Sequence, residues 1–331
     1  MSRPTVTASL LEAALAHSPR GVYLVDLTRF SDNVRRLEAA FAAHVDDVQI
    51  GYSYKTNYLP AIAQRADALG CLAEVVSEME LELALRLGID GSNILFNGPA
   101  KGAAGRRRAL DLGVTLHLDS LDELEAVRAE HDAAPPAQPW RIVLRVHPGP
   151  EALGGSRFGI DVENGDLKTA VDQLRELSGV RLVGLHGHIC PPKRTPDVYA
   201  ALTTYLLKVG RTHLQPEEFE TLNIGGGFFS AMPPEMARQW STPIPTFEAY
   251  GAAVGEVLRG ADLGGAKPKL LLEPGISVVA DAVQFVCRVV ATKQVGGRAV
   301  AIASGSVYDI KPSKARANLP LAVFHPLEGE G

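Results

Sequence analysis

Cysteine is scarce in this 331-residue chain, which has only Cys71, Cys190 and Cys287. Three thiols so far apart exclude a disulfide framework and a zinc ribbon and suit a reducing compartment, and burial is the plain expectation for each. Charge of one sign is equally thin. The 33 Lys and Arg residues stand against 38 Asp and Glu, a formal net charge of −5, and the basic residues are scattered. No nucleic-acid footprint follows from that pattern. No window approaches the ~20 apolar residues of a membrane span, and Met1 to Leu10 has no charged segment followed by an apolar core. The expected location is therefore the cytoplasm, with no membrane partner. Also absent are HExxH, CxxC, the GxSxG elbow, GxGxxG and a glycine loop continuing into Gly-Lys-Ser/Thr, which argues against zinc hydrolysis, serine hydrolysis and a nucleotide P-loop. His186 and His188 have no third ligand at helical or hairpin spacing, so no metal is expected.

What is present is a 46% hydrophobic chain, long enough to bury a large core. Short apolar runs alternate with longer Ala/Leu-rich stretches, the rhythm of repeated β/α units. The runs are Val48 to Tyr54, Ala73 to Ser77, Asn93 to Asn97, Val114 to Asp119, Ile142 to His147, Leu182 to Ile189, Leu222 to Gly225 and Leu270 to Glu273. Between them helices are expected, among them Ser77 to Leu87 and Ser120 to His131, each with a serine N-cap and a glutamate three residues on. Eight such repeats predict an α/β fold, a TIM (β/α)8 barrel whose functional rim is the C-terminal end of the strands. A doubly wound open sheet is the alternative. Residues 1–45 are expected to give a strand at Gly21 to Asp26 and a helix at Thr28 to Ala43 before the barrel of residues 46–275. Residues 276–331 read as a small, partial β domain, with β-type runs at Ser277 to Lys293 and Ala299 to Ser304 and no helix between.

Several rim positions carry residues that could do chemistry. Lys55 ends an apolar strand, where an amine held in a pocket can bond to a carbonyl compound. Gly225, Gly226 and Gly227 directly follow a strand, and their backbone N–H groups could close around an anion, although a tight turn without ligand reads equally well. Glu273 in Glu273-Pro274-Gly275 is either a partner for a ligand cation or a rim salt bridge. His186 and His188 are expected to split, one facing the barrel interior and one facing the helices, with stacking on a ligand ring or simple hydrogen bonding as the two roles. Glu74, Ser77 and Glu80 add polar groups at the second strand end, where helix capping explains Ser77 and Glu80 as well.

Taken together, these residues resemble the fold-type III pyridoxal-phosphate decarboxylases, the group of diaminopimelate, ornithine and arginine decarboxylases, over roughly residues 20–330. Tyr54-Lys55 with Asn57 is similar to the family's cofactor-lysine segment, and Ala73-Glu74-Val75-Val76-Ser77 with Glu80 to its second strand, where an acidic residue approaches the cofactor. Ser156-Arg157-Phe158-Gly159 resembles the Ser-Lys-Phe-Gly turn, and His186-Gly187-His188-Ile189 the His-x-His-Ile element. The resemblance implies pyridoxal 5'-phosphate as cofactor, Lys55 as its Schiff-base lysine, His188 stacked on its ring, Gly225, Gly226 and Gly227 on its phosphate, and Glu273 at its pyridine nitrogen. A carboxylate there favours decarboxylation over racemisation, because the related alanine racemases carry an arginine at that place. The implied reaction is loss of carbon dioxide from a small-molecule amino acid, in a homodimer.

Three departures stand out. Glu273-Pro274-Gly275 is followed by Ile276 where the family carries an arginine on the phosphate, and His188-Ile189 by Cys190-Pro191 in place of Gly-Ser. Arg145 or Lys193 could supply the phosphate contact instead. The family also continues past the equivalent of His325-Pro326 into a segment with a cysteine and an acidic residue for the partner's site, without a counterpart here. That departure keeps open a catalytically silent, cofactor-binding homologue with a regulatory role. Ser304 to Pro312 resembles decarboxylases of siderophore assembly, which act on citrate-conjugated amino acids.

Overall fold

The computed structural model describes residues 7–149, 156–189, 193–310 and 321–323. They belong to two compact units, the larger formed by residues 31–231 and 244–279 and the smaller by the described parts of 1–30, 232–243 and 280–331.

Strand β1 (Val22–Val25) lies in the smaller unit, and the larger holds β2 (Val48–Ser53), β3 (Leu72–Val75), β4 (Ile94–Phe96), β5 (Thr115–Leu118), β6 (Trp140–Arg145), β7 (Val180–His186), β8 (Thr221–Asn223) and β9 (Lys269–Leu272). These eight form a closed barrel in chain order, all parallel, sealed where Val48 and Ile50 of β2 register with Leu270 and Leu272 of β9. The eight-strand barrel expected from the sequence is thus the fold. Strands covered on both faces read as near-continuous apolar runs, which is why β4 (Ile-Leu-Phe) and the buried Leu270, Leu271 and Leu272 of β9 were recognisable.

Caps fix how the chain leaves the rim. Ser77 Oγ accepts the Glu80 N–H and Ser120 Oγ accepts the Glu123 N–H, both at 3.3 Å. The reciprocal arm reaches one residue further back than in the usual capping box: Glu80 Oε2 accepts the Val76 N–H at 2.8 Å, and Glu123 Oε2 accepts the Asp119 N–H at 2.7 Å. Each glutamate therefore clamps the end of a strand to the start of its helix, and each serine cap contributes about 1 kcal/mol. The clamps hold the segments that carry Glu74 and Asp119.

In the smaller unit, β1 pairs antiparallel with β10 (Val283–Val286), and β11 (Val289–Val295) pairs with β12 (Arg298–Ala303) as a hairpin. Two expectations need correction. Helix Ala8–Leu15, capped by Thr7 on the Leu10 N–H, precedes β1. Ser277–Val279 is not strand but the body of a short helix, Ile276–Val279, despite its β-branched residues. Local contacts override propensity there: the Val278 N–H bonds back to Gly275 O at 3.1 Å, and Asn33 Nδ2 donates to Val278 O at 3.1 Å.

Candidate active site

The C-terminal rim of the barrel gathers most of the polar residues that the sequence singled out. Lys55 follows β2 in a 3-10 turn, Tyr54–Thr56, and its Nζ lies 2.9 and 3.1 Å from the two carboxylate oxygens of Glu74. Its side chain keeps 45% of its surface exposed, whereas that of Glu74 is fully buried. Ser53 Oγ donates a very short hydrogen bond to Glu74 Oε2. Burial disfavours the Lys55 cation, but the Glu74 and Glu273 carboxylates outweigh it and raise the amine's pKa.

Glu273 directly follows β9 and is 4% exposed. Asn223, the last residue of β8, donates to its Oε1 at 2.7 Å, and Asn97 Nδ2 sits 3.2 Å from both of its oxygens and from Glu74 Oε1. Burial, reinforced by the Glu74 charge, pushes the Glu273 carboxyl up to about 7. The site thus concentrates two buried carboxylates under one half-exposed amine, an arrangement that a ligand cation would relieve.

The expected split of His186 and His188 fails. Residues two apart share a face of a strand, and the two rings lie 6.5 Å apart on the same side. β7 ends at His186, and His188 beyond it accepts the Gly226 N–H on Nδ1 at 3.2 Å. Its ring is therefore oriented by the glycine loop as the neutral Nε2–H tautomer, and burial holds its pKa down to about 3.

The glycine loop divides its donors. The Gly225 N–H is spent on Asn223 Oδ1 at 2.8 Å and the Gly226 N–H on His188, while those of Gly227 and Phe228 have no acceptor among the described residues. Gly225 and Gly227 adopt φ of 69° and 90°, and a Cβ on Gly226 would come within 1.9 Å of the Glu273 carbonyl oxygen. The loop is buttressed by Tyr199, which stacks on Phe228 at 4.6 Å and donates to Gly226 O at 3.0 Å. A Gly226→Ala variant should therefore displace Glu273 and the loop together. Its thermal midpoint should drop by several degrees and an anion such as phosphate should bind more weakly, both measurable by calorimetry.

Arg145 is brought to the rim but not to the glycines. It pairs with Asp119 at 3.4 Å and lies 4.6 Å over the Phe158 ring, while Gly159 N–H donates to Asp119 at 3.1 Å. The Ser156 to Gly159 turn thus seats Arg145. Lys193 is exposed, and it is Arg194 that reaches the loop, donating to Gly227 O at 3.2 Å. Cys190 and Pro191 lie outside the described residues, as do Lys311, Pro312, His325 and Pro326. Asn97, Asn223, Arg194 and His117 were not anticipated. A single polar residue ending β8 and one inside β5 were the available signals for Asn223 and His117.

Residues 31–280 match the family model for the pyridoxal-binding domain of pyridoxal-dependent decarboxylases. The chain belongs to this decarboxylase family. Among curated relatives, the probable chloroplastic diaminopimelate decarboxylase of Oryza sativa subsp. japonica is 29% identical over 274 residues, 80% of this chain and 54% of that protein. The diaminopimelate decarboxylase of Bacillus methanolicus is also 29% identical, over 91% of this chain and 73% of that one. The chain thus spans little more than half of the rice relative. Among solved structures, diaminopimelate decarboxylase from M. jannaschii superposes with a TM-score of 0.76 at 24% identity, covering 88% of this chain and 69% of that one. The lysine/ornithine decarboxylase of Vibrio vulnificus gives 0.72 at 21% identity, over 91% and 76%. At these identities the structures share the fold.

Proposed function

We propose that this chain is a pyridoxal-phosphate-dependent decarboxylase of an amino acid, acting as a cytoplasmic homodimer, with Lys55 as the residue that holds the cofactor covalently. The observation that carries the reading is the placing of a buried carboxylate with a raised pKa, Glu273, on the same rim as a lysine amine and a glycine loop with two N–H groups that have no acceptor among the described residues.

The residues present fit the cofactor. The Gly227 and Phe228 N–H groups would receive its phosphate, supported by Arg194, which touches the same loop; this offers a cation where Ile276 cannot. His188, its ring fixed by Gly226, would flank the cofactor ring as an uncharged, flat surface. Arg145, paired with Asp119, contributes positive potential to the rim without reaching the loop. When bound, pyridoxal phosphate supplies an electron-withdrawing ring that takes up the electron pair of the breaking Cα–carboxylate bond.

The remaining work falls to this chain's own groups. Lys55 must give up a proton before its amine can attack an aldehyde, and Glu74, bonded to Nζ through both oxygens, is the adjacent acceptor. Glu273 would hold a proton at the ring nitrogen. Burial and Glu74 make its lone negative charge costly, so a positive nitrogen beside it is favoured. Asn97 and Asn223 fix both Glu273 oxygens, leaving the carboxylate one orientation. Lys55, half exposed and once more protonated when it is free of the aldehyde, would be the general acid that returns a proton to Cα.

The relatives' names support diaminopimelate first and ornithine or lysine next, and the resemblance of residues 304–312 to siderophore-assembly decarboxylases adds citrate-conjugated amino acids to the panel. Purified protein loaded with pyridoxal phosphate should release carbon dioxide from at least one member of that panel. Silence with every member, in protein that shows a Lys55-dependent visible band, would replace the enzyme reading by that of a cofactor-binding homologue.

A further inference from the structure

Two imidazoles stand beside Glu273 inside the barrel, and the reaction outlined above uses neither. His117, on β5, and His186, at the end of β7, are both fully buried. Their Nδ1 atoms are 3.1 Å apart, and His186 Nε2 lies 3.6 Å from Glu273 Oε2. Neither His117 Nε2 nor His186 Nε2 has a hydrogen-bond partner among the described residues. The potential ligand atoms of the three side chains fall within 4.8 Å of one another. The Nδ1 atoms are already joined to each other, and both carboxylate oxygens are taken by asparagine amides, so the trio is a hydrogen-bonded chain rather than a cation cage.

A hydrogen bond between two Nδ1 atoms admits one proton, and that restriction links the far ends of the rings. If His117 Nδ1–H donates, His186 carries its own proton on Nε2 and presents a donor to Glu273. If His186 Nδ1–H donates instead, its Nε2 presents a lone pair, which an ionised carboxylate repels and a protonated one welcomes. We propose that His117 and His186 are a positioning pair for Glu273, in which the protonation of the carboxylate and the tautomers of both rings change together. The proton count closes. Ionised Glu273 goes with His186 Nε2–H and His117 Nδ1–H, and protonated Glu273 goes with His186 Nδ1–H and His117 Nε2–H. One added proton enters at His117 Nε2, the His117 Nδ1 proton passes to His186 Nδ1, and the His186 Nε2 proton passes to Glu273. A shift of about half an ångström closes the 3.6 Å gap to a hydrogen bond.

The surroundings favour neutral rings in both states. Burial and the Lys101 and Arg145 cations lower the His117 pKa to about 3, and burial with Arg145 and His117 holds His186 well below its ordinary value. Lys101 Nζ also donates to His117 O at 2.8 Å, fixing the strand under the ring. The other groups that act on Glu273 are Lys55 and Glu74 from the β2 and β3 ends, Asn97, Asn223 and Arg145.

The inference rests on the reading of Glu273 as the ring-nitrogen carboxylate only in its second test. In the first, side-chain 15N spectra of cofactor-free, chelator-treated protein are followed through the Glu273 titration, with His117→Asn assigning the signals. The His186 proton should move from Nε2 to Nδ1 as pH falls, with His117 moving oppositely at the same midpoint, and Glu273→Gln should freeze both. Fixed tautomers in the unaltered protein, or changes that require added zinc, would overturn the pairing. In the second, the pH midpoint of the visible band of loaded protein is compared among variants. His117→Leu removes the donor that keeps His186 Nε2–H toward the carboxylate and should raise the midpoint by about 1 pH unit. His117→Asn, whose amide can donate to His186 Nδ1, should restore it. An unmoved midpoint in His117→Leu would also reject the pair, whereas absence of any visible band would reject the cofactor reading and leave the tautomer result standing.

Discussion

Lys55→Ala is expected to abolish the visible absorption of the cofactor-loaded protein and to lower kcat by on the order of 10^4-fold, as loss of a covalent catalytic group does. The same substitution also removes the cation that both rim carboxylates face, so loss of chemistry and loss of charge must be separated. Lys55→Arg does that. Its guanidinium can still pair with Glu74, now 2.9 Å from Lys55 Nζ, but cannot bond to an aldehyde. The arginine variant should match Lys55→Ala in spectrum and rate while keeping a thermal midpoint close to that of the unaltered protein. Because Lys55 is half exposed, the alanine variant should cost about 1 kcal/mol rather than the several of a fully buried pair. The raised Lys55 pKa adds a pH signature: the neutral amine is the attacking form, so cofactor capture in stopped-flow absorbance should quicken about tenfold per pH unit through neutrality. Glu74→Gln should lower that pKa and move the profile to lower pH. A capture rate independent of pH, or a visible band surviving in Lys55→Arg, would refute the assignment of Lys55.

Parts of this arrangement were legible in the sequence for definite physical reasons. Parallel barrel strands are buried on both faces, so each appears as an apolar run, and the helices between them announce themselves by caps such as Ser77 and Ser120. Lys55, Glu74 and Glu273 could be read because each stands at or near the end of such a run, the position where a barrel exposes its rim. Asn97, Asn223 and His117 were visible only as polar interruptions of apolar runs, with no role assignable. Each is a single polar residue whose meaning depends on which strand lies across the barrel, and closure brings Asn97 to Glu273 from 176 positions away in the chain. Arg145 shows the converse limit. It sits at the expected strand end, yet Asp119 and Phe158 hold it there, and Arg194, next in the chain to Lys193, reaches the glycine loop instead. The short helix Ile276–Val279 was misread because Ile, Val and Val favour strand, while a local bond to Gly275 and a tertiary one from Asn33 favour a turn of helix.

Glu273→Gln should lower kcat by about 10^2 to 10^3-fold while leaving the Lys55-dependent visible band in place, because the amide removes the charge beside the ring nitrogen without touching the amine. The same variant should behave oppositely in stability, and the sign follows from the titration. Folding raises the Glu273 pKa from 4.5 to about 7. A group raised in this way favours the folded state most below its unfolded pKa, and that contribution is lost as pH rises through the folded value. Cofactor-free unaltered protein should therefore lose stability between about pH 5 and pH 8 through this residue, and Glu273→Gln should not. By differential scanning calorimetry, the variant's thermal midpoint relative to the unaltered protein should be several degrees more favourable at the upper end of that range than at the lower. Loading with pyridoxal phosphate should erase the difference, since a ring nitrogen held by Glu273 would supply the counter-charge that burial and Glu74 deny. A midpoint difference that is the same at both pH values would mean that Glu273 is not held as a strained acid, and one that survives loading would mean that the cofactor cation does not reach it. A carboxylate that behaves so would weaken the empty barrel and favour a cationic ligand, which is how a fold can keep a charge in its core for use at a site.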